Sequence, residues 1–516
     1  MTRISRRVFV SVVVAVLWSV SGCTSSHSDG QGGAVSDSSS PPPAPTARSS
    51  PSGGDPPGGA VVQRLTAALP QPDAAQLRTA RSVPVEDPYY PDVSNPEVDA
   101  LHYALGLRWD GETLTGDTRL TFRATTATAE VRLALLDAMQ ADMVQLDGHV
   151  IDYQQSRDTI AMSTGSLDAD STHTLEIVYS GTPHPVPAPS QRVDTTDGLG
   201  WNIDPDGSVY TLQEPYGAFT WYPVNDHPSD KALYDAVVST ISRDVAVFNG
   251  ELLSGVRHAD QTTSRWHLDE PAASYLVTLA IGPYRRSVVT TPSGMNISYW
   301  VRRDDRDLLP SLQREGSRAF EWLRTHAGRY PFSTLGVVVV GGSSAMETQT
   351  LITMSRAAVE RPDAVLEHEM AHQWYGDSVT PRNWKGMWLN EGWAMYMQQW
   401  YERDSGRPVY AGGMSRWRRL DQPSRRRSGP PADYDRDRFG DVNVYLGPAM
   451  MLDAIRSRIG DAAFEKMARA WPAQHQMSTV DRAVFTRWLQ RFTGVDLRRL
   501  MHRWLDSART PALPGR

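Results

Sequence analysis

His368-Glu369-Met370-Ala371-His372 constrains this chain more than any other stretch of its 516 residues. On a helix, residues four apart lie on one face. His368 and His372 can therefore offer two imidazole nitrogens to one ion at ~2.0–2.1 Å, the zinc–nitrogen distance. Two neutral nitrogens suit Zn²⁺, whereas Mg²⁺ and Ca²⁺ prefer oxygen. Asp363 suits the N-cap of such a helix, and Gly376 suits the residue just past its end. A catalytic zinc needs a third protein ligand and one open position. Glu391 lies nineteen residues after His372, in Leu389-Asn390-Glu391-Gly392-Trp393-Ala394. The residues that follow, through Trp400, read as a second helix able to present this carboxylate. Glu369 need not bind metal. Zinc lowers the pKa of a bound water towards ~7, and a carboxylate beside it can take the proton and pass it to a leaving amine.

Composition narrows the setting. Hydrophobic residues make up 40% and charged residues 22%, with 16 Trp and 19 Tyr. That is a folded globular chain, not a disordered one. At ~100–200 residues per domain it holds more than one domain. A net charge of −7 and a pI of about 6.0 give no support to nucleic-acid binding. One Cys excludes an internal disulfide framework and a thiolate metal cluster.

That Cys is Cys23. Arg3, Arg6 and Arg7 precede an apolar run from Val8 to Val20, too short to cross a ~30 Å hydrocarbon core. The run reads as the apolar core of a signal peptide. Val20-Ser21-Gly22-Cys23 resembles a bacterial lipobox, which implies cleavage after residue 22 and a lipid on the Cys23 sulfur. Two or more acyl chains anchor a protein stably. Ser5-Arg6-Arg7-Val8-Phe9 also resembles a twin-arginine signal, so export by that route or by Sec is expected. The expected location is the extracytoplasmic face of the cell membrane. Residues 23–84 read as a Ser/Pro/Gly-rich tether, with a short helix somewhere in 61–84.

From 85 to 288, period-two alternation is broken by turn residues, as in Ala104-Leu105-Gly106-Leu107-Arg108-Trp109 and Thr174-Leu175-Glu176-Ile177-Val178-Tyr179. Asp110-Gly111 and Asp147-Gly148 mark turns. This predicts an N-terminal antiparallel β-sandwich-like domain. From 289 to 516 the texture is α+β and then mostly helical: Ser311–His326 has helical periodicity, and Thr334–Val340 suits a buried strand. Arg416 to Arg427 holds six arginines in twelve positions and reads as a solvated face.

His368 through Ala394 resemble the gluzincin signature, specifically that of the M1 family of zinc aminopeptidases. Ser344-Ala345-Met346-Glu347-Thr348 stands where the family has Gly-x-Met-Glu-Asn. Tyr445, in Val444-Tyr445-Leu446-Gly447, falls where its catalytic tyrosine lies, with Tyr434 as a rival. Glu214 precedes Trp221-Tyr222-Pro223-Val224-Asn225-Asp226-His227-Pro228, which is similar to the stretch leading into the family's Asp-x-Pro. The resemblance implies a thermolysin-like zincin domain over 289–516 and one Zn²⁺ per chain on His368, His372 and Glu391. It implies Glu369 as general base and Tyr445 as a hydrogen-bond donor to the oxyanion. Glu347 and Glu214 would clamp the cationic α-amine of a peptide, whose burial without a partner costs several kcal/mol. Ala345 and Met346 would line the substrate backbone.

The chain departs from the family at Ser344, Thr348, Asp377 and Gly447-Pro448, the last standing for Lys-Gly. By the same resemblance the last helices, including Asp496 to Leu505, finish the catalytic domain. The large C-terminal helical domain of many members is expected to be missing, leaving a more open cleft. Two other functions compete: a zinc endopeptidase of gluzincin type, and a non-catalytic cell-surface binding lipoprotein, which would have no use for Glu369.

Overall fold

The computed structural model describes residues 65–241, 243–361, 365–406 and 413–513. Cys23, the leader, the tether up to residue 64 and Asp363 lie outside the described residues. Among the described residues no helix is long and apolar enough to cross a membrane.

The alternating segments of the first half form an eight-stranded sheet. Its order is Glu251–His258, Gln261–Ala273, Lys231–Ile241, Val98–Trp109, Leu114–Ala124, Thr172–Gly181, Met139–Leu146 and His149–Val150. The pairings are antiparallel except at the centre, where Val98–Trp109 runs parallel to Lys231–Ile241. Alternation assigns side chains to faces but says nothing of strand direction, so the parallel pair escaped the sequence reading. The long excursion between these two strands gives the crossover that a parallel pair requires. That excursion contributes to a three-stranded and a four-stranded sheet. Leu105, Leu120, Val131, Ile160, Trp201 and Ala280, drawn from all three sheets, share one buried core.

The stretch from 65 to 84, grouped with the tether for its small residues, is instead laid on this sheet. Leu69 packs with Ala104 and Val237. Thr66 donates its N–H (3.2 Å) and its hydroxyl (2.6 Å) to Asp117. The short helix expected there, α1 (Ala74–Thr79), starts at a reciprocal capping box between Asp73 and Gln76. Composition averaged over the segment concealed these few anchors.

The second half opens with a mixed five-stranded sheet that begins at Tyr284, slightly ahead of residue 289. Its order is Tyr284–Thr290, Asn296–Arg302, Leu335–Val340, Leu351–Ser355 and Ala345–Met346. Helices follow and interleave: α2 (Leu309–His326), α3 (Arg356–Val359), α4 (Val365–His372), α5 (Met387–Asp404), α6 (Gly413–Ser428), α7 (Val442–Ile459), α8 (Asp461–Gln474), α9 (Arg482–Thr493) and α10 (Arg498–Leu505). Residues 387–398 of α5 and 442–456 of α7 are all buried. Helices apolar on every side belong in a core, and these two form the centre of the domain. The arginine-rich stretch lies on α6 and is not wholly a solvated face. Trp417 and Arg425 are buried. Arg425 donates to Asp421 at 2.6 Å and to the carbonyls of Trp504 (2.8 Å) and Ser507 (2.9 Å) at the end of α10.

Candidate metal centre and active site

α4 carries His368, Glu369 and His372, all buried. The helix breaks just after His372, because Tyr375 leaves helical geometry (φ −120°, ψ 76°) and Gly376 takes φ 147°, a value that favours glycine. This unwinding aims the Tyr375 carbonyl at the His372 ring, whose Nδ1–H donates to it at 3.2 Å. That leaves the lone pair of His372 Nε2 facing inward.

α5 crosses α4 and supplies Glu391. His368 Nε2 and His372 Nε2 are 3.1 Å apart, and they lie 3.2 Å and 3.3 Å from Glu391 Oε2. Ligands placed tetrahedrally at ~2.05 Å from a zinc ion are ~3.3 Å apart. The donor triangle has the size and the chemistry, two imidazoles and a carboxylate, that this ion takes. Against the burial that opposes it, His372 and His368 hold the Glu391 carboxyl well below the usual carboxylate range. A carboxylate kept charged in this way is ready to accept a cation.

α7 brings Tyr445 to the same place. Gly392 on α5 makes this approach possible: a Cβ there would lie 2.5 Å from Pro448 Cβ. The Pro448 departure therefore packs against the glycine next to Glu391. The Gly447 departure has its own occupant, since a Cβ at 447 would meet the Arg425 guanidinium at 2.4 Å. The Tyr445 ring stacks 6.2 Å from that of His368. Tyr434 is elsewhere, its hydroxyl donating to the Trp384 carbonyl at 2.8 Å.

Three more carboxylates face this group. Ligand atoms of Glu347, Glu369 and His372 lie within 4.8 Å of one another, as do those of Glu214, Glu347 and Glu391. Burial raises Glu214 and Glu369, and repulsion from Glu347 raises both further. Burial also raises Glu347, with Glu391 adding to it and His372 opposing. Each is held by a distinct local device. Glu347 follows the edge strand Ala345–Met346, and its carbonyl accepts from Gln373 Nε2 at 2.9 Å, one residue past His372. Ala345 is half-buried and Met346 buried, both at the cleft. The Thr348 hydroxyl is spent on the Leu351 carbonyl and Thr353. Glu214 sits in a loop fixed on both sides. Gln213 donates to the Ser274 carbonyl at 2.7 Å, and buried Asp226 accepts from the N–H groups of Gly217 (2.8 Å) and Ala218 (3.0 Å).

Asp377 is buried and accepts from Gln373 Nε2 at 2.6 Å, and its carbonyl accepts from Lys231 Nζ at 2.7 Å. The group thus lies at the junction of the two halves, in a cleft lined from both. Sequence reasoning missed Arg192, whose Nη1 donates to the Tyr445 hydroxyl at 2.9 Å. The only local signal was an Arg and an Asp two residues apart in an aperiodic loop.

These features, a buried His-Glu-x-x-His helix with a glutamate presented by a neighbouring helix, make up a site fit for one zinc ion. A model of the peptidase family M1 domain matches residues 317–504. Aminopeptidase N of Lactobacillus helveticus is 25% identical over 415 residues, 73% of this chain and 47% of that one. Leucine aminopeptidase 2-2 of Meyerozyma guilliermondii is 30% identical over 188 residues, 34% of this chain and 28% of that one. The chain spans about half the length, or less, of these curated relatives. A mutant M1 zinc metallopeptidase from Deinococcus radiodurans has a similar structure, with a TM-score of 0.75 and 25% identity over 84% of this chain and 100% of that one. A two-domain M1 zinc metallopeptidase bound to L-tryptophan gives a TM-score of 0.76 at 25% identity over the same shares. Residues 317–504 are thus similar to the M1 peptidase domain, and the triangle of His368, His372 and Glu391 fits the single zinc ion that this likeness implies.

Proposed function

We propose that the chain is a zinc aminopeptidase that hydrolyses the first peptide bond of peptides with a free N-terminus. The observation that carries the reading is the convergence of Glu214 and Glu347 on Glu391, within 4.8 Å. Two carboxylates beside a metal site, Glu347 buried and Glu214 half-buried, form a receptor for a cation, and a peptide's cation at that position is its α-ammonium. Structurally similar two-domain enzymes bind L-tryptophan and L-arginine, which carry that group.

His368, His372 and Glu391 would hold the zinc, which as a Lewis acid acidifies water and polarises a carbonyl. Glu214 and Glu347 hold the ammonium and so fix which bond reaches the reacting position. Glu369, one residue past His368, takes the proton from the attacking water and delivers it to the departing amine. Tyr445 donates its hydroxyl to the oxygen of the carbonyl under attack.

The test is a panel of aminoacyl fluorogenic amides and their N-acetylated forms, with and without added Zn²⁺. Cleavage of the free amides alone is expected. Equal cleavage of acetylated peptides would make the chain an endopeptidase. Full zinc occupancy with no cleavage of any peptide would make it a binding lipoprotein. In the same proposal a lipid on Cys23 anchors the enzyme at the extracytoplasmic face of the membrane. The apolar run Val8–Val20 and the tetrapeptide ending at Cys23 support it. Cys23→Ala is expected to move the protein from the membrane pellet to the soluble fraction. Retention in the pellet would refute the anchor.

A further inference from the structure

The loop from Pro189 to Asp194 belongs to the β-rich half, yet it is joined to the segment leading into α7. Phe439 N–H donates to the Pro189 carbonyl at 2.9 Å, and the Ser190 hydroxyl donates to the Phe439 carbonyl at 2.8 Å. Between these ties and the cleft stands Arg192. Asp194, itself buried, grips its Nε at 2.9 Å and its Nη2 at 2.5 Å. This fork leaves Nη1 to donate to Tyr445 Oη at 2.9 Å. Room for the guanidinium depends on Gly440 (φ 70°), where a Cβ would lie 2.9 Å from Nη1.

A phenol oxygen is both donor and acceptor. Once Tyr445 Oη accepts from Arg192, its own proton must point away from the guanidinium, and a charge-assisted donor makes that O–H a stronger donor in turn. We infer that Arg192 is a positioning residue for Tyr445, supplied by the β-rich half, which turns the tyrosine hydroxyl proton towards the substrate carbonyl oxygen. The inference rests on the aminopeptidase reading. Asp194 already matches the guanidinium charge with two hydrogen bonds, so Arg192 is not a free receptor for a substrate carboxylate.

The test is a double-mutant cycle on the zinc-loaded protein with Arg192→Met, Tyr445→Phe and both together. Tyr445→Phe is expected to lower kcat ~10²–10³-fold, the cost of losing an oxyanion donor. Arg192→Met is expected to lower kcat ~10-fold or more with KM within twofold, and to have less than a twofold effect once Tyr445 is Phe. An equal loss in both backgrounds, or a loss confined to KM, would mean that Arg192 acts on substrate directly and overturns the inference. Because Arg192→Met strands a buried carboxylate, Arg192→Met/Asp194→Asn provides the same measurement in a chain without that charge. Calorimetric titration with an aminoalkyl phosphonate, whose tetrahedral oxygens take the place of the oxyanion, gives a readout independent of turnover. Its affinity should fall with Arg192→Met only while Tyr445 is present. If the wild-type chain cleaves no aminoacyl amide, the aminopeptidase reading fails, and the phosphonate titration still decides the role of Arg192.

Discussion

Lys231 starts a strand of the β-rich half, yet its side chain ends under the metal helix. Its buried ammonium donates to the carbonyls of Asp377 at 2.7 Å and Ser378 at 3.2 Å, in the turn that follows α4. Burial lowers its pKa from 10.5 to about 7, with the Asp377 carboxyl opposing. At ~1.36 kcal/mol per pH unit, that gap is worth ~5 kcal/mol. Between pH 7 and 10.5 the unfolded chain binds a proton that the folded chain has released, and stability rises with pH wherever the unfolded state binds more protons. The penalty for burying the charge is therefore complete below pH 7 and fades as the pH climbs towards 10.5. Lys231→Met removes it. The same substitution takes a donor from both carbonyls, leaving that of Asp377 the Thr380 hydroxyl at 2.9 Å, at ~1–3 kcal/mol, but that cost does not vary with pH. The level of the stability difference mixes these effects, whereas its slope belongs to the proton. Asp377 titrates beside the amine, so the comparison is cleanest in an Asp377→Asn background. There, the urea-unfolding free energy should rise between pH 7 and pH 9 by ~2 kcal/mol more in the chain that keeps Lys231 than in the Lys231→Met variant. Parallel slopes would refute the reasoning, because they would mean that the amine stays charged in the fold.

Other substitutions give equally direct outcomes. Glu369→Gln should keep zinc near one per chain, measured by metal analysis, while turnover falls ~10³-fold or more; full activity would remove Glu369 as the base. Gly376→Ala would force a side chain into a φ of 147° with its Cβ 3.0 Å from His372 Nδ1. Competition with a chelator should show zinc affinity reduced ~10–100-fold, as when a ligand loses its orienting partner. Tyr434→Phe loses one hydrogen bond to Trp384 and should cost ~1 kcal/mol of stability with kcat unchanged, the opposite of Tyr445→Phe.

The metal helix was legible because its signal is local: two histidines at helical spacing and a glutamate on the next helical run. Glu347 and Glu214 were reached only through resemblance. They lie far apart in sequence and meet because a sheet edge and a loop pinned by Asp226 converge, which no periodicity encodes. Arg192 was not found, since a loop arginine gains meaning only from what it touches. The departures at Gly447 and Pro448 looked like losses in sequence. In the fold, one yields its space to Arg425 and the other packs against Gly392. The stretch from 65 to 84 failed for the reverse reason, as Thr66 and Leu69 dock it on the sheet while its average composition reads as linker.

A charge count links the site to its selectivity. Four carboxylates, half-buried Glu214 and buried Glu347, Glu369 and Glu391, gather in overlapping clusters at the cleft. Arg192 adds a guanidinium, but Asp194 already matches it. A zinc ion offsets two of the four negative charges, and an α-ammonium offsets a third. The last is neutralised when Glu369 takes up the proton it must move. The group is therefore balanced only with metal, a cationic N-terminus and one transferred proton together. An acetylated N-terminus brings no charge and leaves a further carboxylate uncompensated away from water, a loss of ~3–5 kcal/mol when a buried pair is broken. At 1.4 kcal/mol per factor of ten, free peptides should be preferred over acetylated ones by ~10²-fold or more in kcat/KM. Glu347→Gln should shrink that preference by removing one of the charges that demands the amine. If the ratio survives Glu347→Gln intact, the discrimination arises from pocket shape and not from this balance.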